Sequence, residues 1–558
     1  MRLLRLLLVA WCLLVVLPAA PAWAHAALLE STPADGALLA EAPETVELRF
    51  SEPVGTSLGA VRVLGPDGTR VDSGRVSLRD DGRTVVAPLR SDLAHGSYTL
   101  LWRVVSQDSH PVTGASTFSI GHATGTGAAA DPTQVGAGGA AGDLLTASRL
   151  LLYTGLVLLV GGVTFLLVLW PAGLGDRVAQ RLLWTGWALA VAGSAAGLLL
   201  QGPYAAGLPL SSAFDGALVA EVVQTRFGAA STARLALLAG MVPLLLGLAR
   251  WARWARGPLA AGWAALSAGV LLSTSAVGHA AAGDLVGLAL PADSVHLAAM
   301  SAWLGGLVLL GLVVLRRSTD DLASVLPGWS RYAASAVGVL VVTGTFASWR
   351  EVRELSALTS TSYGRLLLVK TLLVALMLLM GAVGRSWVRR HYLLPIVHAA
   401  TDVASPVRTP PSPVAVQRLR RSVLLEAGTA AVVLSVTAFL VETTPARSAY
   451  APVFSEVAAV DGPLRVQVDV EPARTGLNDI HVYYTAEGGK AVDVPEVDIR
   501  WTRDGTDDVI PVELERDSLG HYERLRVALP SSGTWELAVT TRTTDIDSAI
   551  TRFTVRVR

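Results

Sequence analysis

Between about residue 146 and residue 442 the chain is built from apolar stretches long enough to cross a lipid bilayer, which takes about 20 residues as a helix. About eight of them are legible, near 148–170, 182–202, 230–250, 258–279, 292–315, 332–348, 364–384 and 422–441. A segment in hydrocarbon must satisfy its own backbone N–H and C=O groups, so each folds as a helix and the set packs as one polytopic all-α bundle. Composition agrees, with 52% hydrophobic residues and only 16% charged, where a soluble globular chain carries about a quarter. A soluble globular chain and a disordered one are both excluded. Basic and acidic residues balance at 45 each, so no net field draws the protein to nucleic acid.

Arginines crowd every second connection: Arg177 and Arg181, then Arg250, Arg253 and Arg256, then Arg316 and Arg317, then the segment 385–421. The intervening loops carry Asp215, Asp284 and Glu351 instead. By the positive-inside rule the Arg-rich loops face the cytoplasm, which puts both ends of the bundle outside the plasma membrane. Residues 1–24 read as a secretory signal: Arg2 and Arg5, an apolar run Leu6–Leu17, and Ala22-Trp23-Ala24 as the cleavage signature. Cleavage there makes His25 the first residue and removes Cys12, the only cysteine, leaving no thiolate ligand and no disulfide.

Residues 25–122 alternate short β-rich runs with turns such as Gly65-Pro66-Asp67-Gly68, the pattern of a small Ig-like or cupredoxin-like β-sandwich. Residues 123–145 are Gly/Ala-rich and read as a linker, 146–442 as the transmembrane domain, and 450–558 as a second all-β sandwich.

The residues most able to carry chemistry are His25, Asp108 and His110. A processed N-terminal histidine offers its α-amine and its imidazole together. In a β-run Asp108 and His110, two apart, point to one face and complete a tetragonal N/O set that suits Cu(II). The plainer reading is that His25 merely follows a cleavage site and that His110 caps a turn before Pro111.

At these residues the first domain resembles the CopC copper-binding family. His25-Ala26-Ala27-Leu28, Phe50-Ser51-Glu52-Pro53 and Ser106-Gln107-Asp108-Ser109-His110-Pro111 carry the likeness. It implies Cu(II) ligation by His25, Asp108 and His110, with Glu52 as a supporting residue. Residues 25–145 contain no methionine, so a separate Cu(I) site in this domain is not expected.

The membrane part resembles CopD at Gly278-His279-Ala280, at 293–307 and at 363–370. The span positions put His279 at the end of the fourth span and His296 at the start of the fifth, both near the outer face. Asp293, His296, Met300 and Trp303 follow helical spacing along one stripe, a ladder that could pass copper inward. The other readings of the two histidines are a hydrogen bond to a neighbouring helix and haem ligation. Arg149 and Arg234, near outer helix ends, are expected to snorkel to lipid headgroups. The C-terminal region looks like small YtkA-like or FixH-like modules, and its His481 and His521 read as exposed strand or turn residues ahead of metal ligands.

The expected protein is thus a fused CopC–CopD copper protein that captures Cu(II) outside the cell and carries it across the membrane, without enzymatic activity. Its expected partners are copper ions, the bilayer and copper chaperones. Copper sequestration or sensing without transport, and copper-dependent oxidation, are the alternatives.

Overall fold

The computed structural model describes residues 26, 28–33, 37–122, 124, 139–250, 257–283, 285–393, 411–450, 454–486, 490–503, 509–544 and 547–557. The signal segment, Cys12 and His25 lie outside the described residues.

Period-two alternation builds the first domain. Its strands are β1 (Leu28–Thr32), β2 (Ala37–Leu39), β3 (Thr45–Phe50), β4 (Gly55–Leu64), β5 (Ser77–Arg79), β6 (Thr84–Pro88), β7 (Gly96–Val105) and β8 (Pro111–Ile120). They form two four-stranded sheets in the orders β1-β3-β6-β5 and β2-β8-β7-β4. Along β3 the residues Val46, Leu48 and Phe50 turn inward and meet Tyr98, Leu100 and Phe118 from the facing sheet. Each such fully buried side chain contributes about 1.5–3 kcal/mol, so the two inner faces hold the sandwich closed.

Among the described residues, eight helices are long and apolar enough to cross a membrane: Gly139–Val168, Arg177–Ala206, Arg226–Leu248, Pro258–Ser275, Val286–Arg316, Asp321–Val352, Ser362–Tyr392 and Pro413–Glu442. The first and fifth are the most enclosed, and the sixth and seventh turn most of their apolar surface outward, as lipid-facing helices do. The first span contains a π-helical turn at Val157–Gly161, which lies directly against the fifth. There a Cβ on Gly161 would overlap the Ser301 carbonyl, and one on Gly305 would overlap that of Val157. Two glycines thus let the backbones touch, the small-residue packing that joins helices in lipid.

Several span boundaries differ from the sequence reading, among them the starts of the first and fifth spans. The first helix begins at Gly139, inside the stretch read as linker, because its small residues carry helix beyond the apolar core. Its 30 residues span about 45 Å, more than the roughly 30 Å of hydrocarbon. The fifth begins at Val286 with Pro291 inside it. His296 therefore sits about three turns into the helix rather than at its start.

The C-terminal strands are β9 (Phe454–Asp461), β10 (Leu464–Glu471), β11 (Gly476–Thr485), β12 (Glu496–Arg503), β13 (Val509–Glu513), β14 (Glu515–Ser518), β15 (His521–Leu529), β16 (Gly533–Arg542) and β17 (Ser548–Val557). A five-stranded sheet, β14-β15-β11-β10-β9, and a four-stranded one, β13-β12-β16-β17, enclose a core around Trp501 and Trp535, which meet edge to face at 6.4 Å. An even number of spans returns the chain to the end of the bundle where it entered, and β1 and β11 of the two sandwiches are in contact.

Candidate metal centre

Asp108 and His110 do not lie in a β-run. They occupy the tight turn between β7 and β8, and the alternation argument for their common face fails there. A different device brings them together. Ser109 adopts a left-handed φ of 74°, while the Ser106 hydroxyl donates to the Asp108 carboxylate and lies 2.9 Å from the His110 carbonyl. Nδ1 of His110 comes within 3.3 Å of the Asp108 carboxylate, and both residues are buried. Burial works against a charged imidazole, but Asp108 and Glu442 outweigh it and hold the His110 pKa up at about 9. Glu52 is buried beside this turn and accepts from the Gln107 N–H at 3.2 Å. Burial, reinforced by the Asp108 charge, pushes its carboxyl up to about 8. Glu52 is not a member of the cluster of possible ligand atoms that Asp108 and His110 join.

The turn is buried because the sandwich is docked on the bundle. Arg103, in β7, donates to the carbonyls of Ala205 at 2.5 Å and Tyr204 at 2.7 Å. These carbonyls end the second span, where a cation is favoured by the unsatisfied acceptors and the helix dipole. Gln201 of the same span donates to the Ser109 carbonyl at 2.9 Å. Leu58 of β4 packs with Ala205, Leu218, Val222 and Phe227, closing an apolar seam beside the polar one.

This docking carries Asp108 and His110 onto His279 of the membrane domain. Nε2 of His279 lies 3.8 Å from the Asp108 carboxylate, and the two imidazole rings are 5.5 Å apart. One ligand atom from each of Asp108, His110 and His279 lies within 4.8 Å of the other two. Two imidazoles and a carboxylate form an N/O donor set that accepts Cu(II) or Zn(II) and has no soft ligand to favour Cu(I).

His279 does not end the fourth span, which stops at Ser275. It opens a short 3-10 turn, His279–Ala281, in the following loop. Arg350 anchors that turn, donating to the carbonyls of His279 at 2.8 Å and of Ala282. Arg350 is itself buried with Glu351, which pairs with Arg447 at 3.1 Å.

Residues that sequence reasoning did not assign complete the surroundings. Glu442, the last residue of the eighth span, lies 3.5 Å from Nε2 of His110 and pairs with Arg149 at 2.6 Å. A carboxylate on the far nitrogen of a ligating histidine fixes its tautomer and orientation. Arg149 therefore does not snorkel, and neither does Arg234, which is buried with Ser194, Ser231 and Thr274. The signal for the Arg149–Glu442 pair was opposite charges at the outer ends of two apolar spans.

The fifth-span stripe is a separate group. His296 is bonded to Thr343 of the sixth span at 2.8 Å. Met300 is half-buried against the bundle core. Asp293, His296 and Met300 are not members of the Asp108–His110–His279 cluster.

The family matches fall on the first sandwich and on the membrane domain. Residues 28–121 match the CopC domain family, residues 140–288 the copper resistance protein D-like N-terminal domain, and residues 323–440 copper resistance protein D. The chain is 28% identical over 560 residues to the copper transport protein CutJ of Bacillus subtilis (strain 168), covering 97% of each chain. The copper resistance protein C of Pseudomonas syringae pv. tomato is 34% identical over 111 residues, 19% of this chain and 87% of that protein. The crystal structure of CopC from Methylosinus trichosporium OB3b is 27% identical and covers 19% of this chain and 100% of that one, at a TM-score of 0.16. The protein belongs, through its first domain, to the copper resistance protein C (CopC) family, and it carries CopC and CopD domains in one chain.

Proposed function

We propose that this protein captures Cu(II) outside the cell and transports it across the plasma membrane. The observation that carries this reading is the meeting of Asp108 and His110, from the sandwich, with His279, from the membrane domain. A metal held by Asp108 and His110 is already within reach of a bundle ligand, so handover needs an exchange of ligands rather than a diffusive step. In this reading the signal peptide is cleaved after Ala24, and His25 joins Asp108 and His110 as a ligand through its amine and imidazole. The N- and C-terminal sandwiches lie on the extracytoplasmic side, in keeping with the Arg-rich alternate loops. From His279 the ion passes to Asp293, His296 and Met300 of the fifth span. Copper is cargo here and not a cofactor of catalysis, and copper chaperones supply or receive it.

The test is copper content in cells lacking the protein and in cells expressing it or the His110→Gln and His279→Gln variants, at limiting external copper. The expected result is a cytosolic gain with the native chain and at least a tenfold smaller gain with either variant. Copper retained in the membrane fraction without a cytosolic gain would replace transport by sequestration.

A further inference from the structure

We propose that the C-terminal sandwich carries a second metal site, formed by His481, His521 and Glu523, for a divalent first-row ion with Cu(II) preferred. The strands place these residues by register. In the β11–β15 ladder His481 stands opposite Glu523, and Tyr483 stands opposite His521. Residues two apart on a strand share a face, so both histidines, Tyr483 and Glu523 lie on one side of the sheet, while Val482, Tyr484 and Tyr522 enter the core on the other.

Nδ1 of His481 is 3.1 Å from Nε2 of His521 and 3.1 Å from the Glu523 carboxylate, and the third side of the triangle is 4.0 Å. Two atoms each about 2.0–2.1 Å from a tetrahedral metal lie about 3.4 Å apart, so the three donors already stand near ligating separations. Nδ1 of His521 lies 3.0 Å from Asp517. As a donor to that carboxylate it leaves Nε2, which faces the cluster and is hydrogen-bonded to Nδ1 of His481, as an acceptor whose lone pair a metal ion can take over. Tyr483 stacks on the His521 ring at 4.4 Å and 10°, which limits its rotation.

The arrangement is that of a site with three protein ligands and an oriented imidazole. The set keeps one side open, since the side chains of His481 and Glu523 are 25% and 26% exposed. Nitrogen and oxygen donors without sulfur place Cu(II) above Zn(II) in the order of affinities. Asp469, across from His481 on β10, is taken up by Ser455 and Gln467 and is not part of the set.

The experiment uses the full chain in detergent, stripped with chelator and titrated with Cu(II) alone, with bound metal counted by elemental analysis. His481→Gln/His521→Gln is expected to remove one equivalent, both in the native background and in one carrying Asp108→Asn and His110→Gln. Asp517→Asn, which keeps both histidines, is expected to weaken that equivalent about 10–100-fold. A stoichiometry unchanged by His481→Gln/His521→Gln overturns the site. Failure of the first centre would appear separately, as an unchanged count on Asp108→Asn/His110→Gln.

Discussion

Arg103 holds the sandwich against the bundle, and Asp72 braces the sandwich itself. Removing Arg103 leaves two helix-terminal carbonyls without their charged donor, and each such bond contributes about 1.5–3 kcal/mol. Arg103→Ala is therefore expected to loosen the sandwich from the second span, seen as faster hydrogen exchange through residues 106–110; unchanged exchange would contradict the docking role. Asp72 braces the sandwich, its carboxylate taking Arg70 at 2.7 Å, the Val63 N–H at 2.8 Å and the Gly74 N–H at 2.9 Å. Burial alone would raise its pKa, but these donors outweigh burial and hold it below the ordinary value. A depressed carboxyl adds stability above its unfolded pKa of about 3.9, and that stability is lost as pH falls through the folded value. Asp72→Asn should thus cost about 1–3 kcal/mol at pH 7, with the difference from the native chain shrinking below about pH 4. A pH-independent difference in melting would refute this account.

At the scale of elements, the crossing of the first and fifth spans fixes the bundle axis. Gly161 and Gly305 face carbonyl oxygens that have no rotamer to give way, unlike a flexible side chain. Gly305→Leu should cost at least about 1–3 kcal/mol and lower the yield of monodisperse protein in detergent. A variant with native yield and melting would show that the contact is looser than described. These elements were largely legible beforehand, since apolar runs of about 20 residues and period-two alternation dictate helices and strands directly. Their ends were not. The Gly139 start rests on small residues without a hydropathy signal, and Val286 precedes a proline that reads as a boundary. A turn before Pro111 was one of the two readings of His110, but what joins it to Asp108, the left-handed backbone of Ser109 and the Ser106 hydroxyl bond, is local geometry that alternation does not encode.

For the whole molecule, the informative fact is that one cluster able to hold a metal ion draws on two domains. Asp108 and His110 were marked as ligands by their own motif and His279 by its place beside a span, but their meeting was not legible. It depends on Arg103, Gln201 and Leu58 seating one domain on another, and no spacing rule relates residues so distant in sequence. The Arg149–Glu442 pair belongs to the same seat, closing the first and eighth spans beneath His110. Breaking a buried pair from one side costs about 3–5 kcal/mol, so Glu442→Gln is expected to destabilise the bundle end and weaken metal binding together. Weakened binding at native stability would assign Glu442 to the metal alone.

The central claim, that the sandwich and the membrane domain share one metal centre, is tested most directly by Cu(II) titration of the full chain in detergent, monitored by electron paramagnetic resonance, with and without His279→Gln. The account predicts that the variant loses a coordinated nitrogen from the spectrum and binds about tenfold or more weakly, a change of about 1.4 kcal/mol or more. Identical spectra and affinities would mean that Asp108 and His110 hold copper without His279, and that handover does not begin from a shared site.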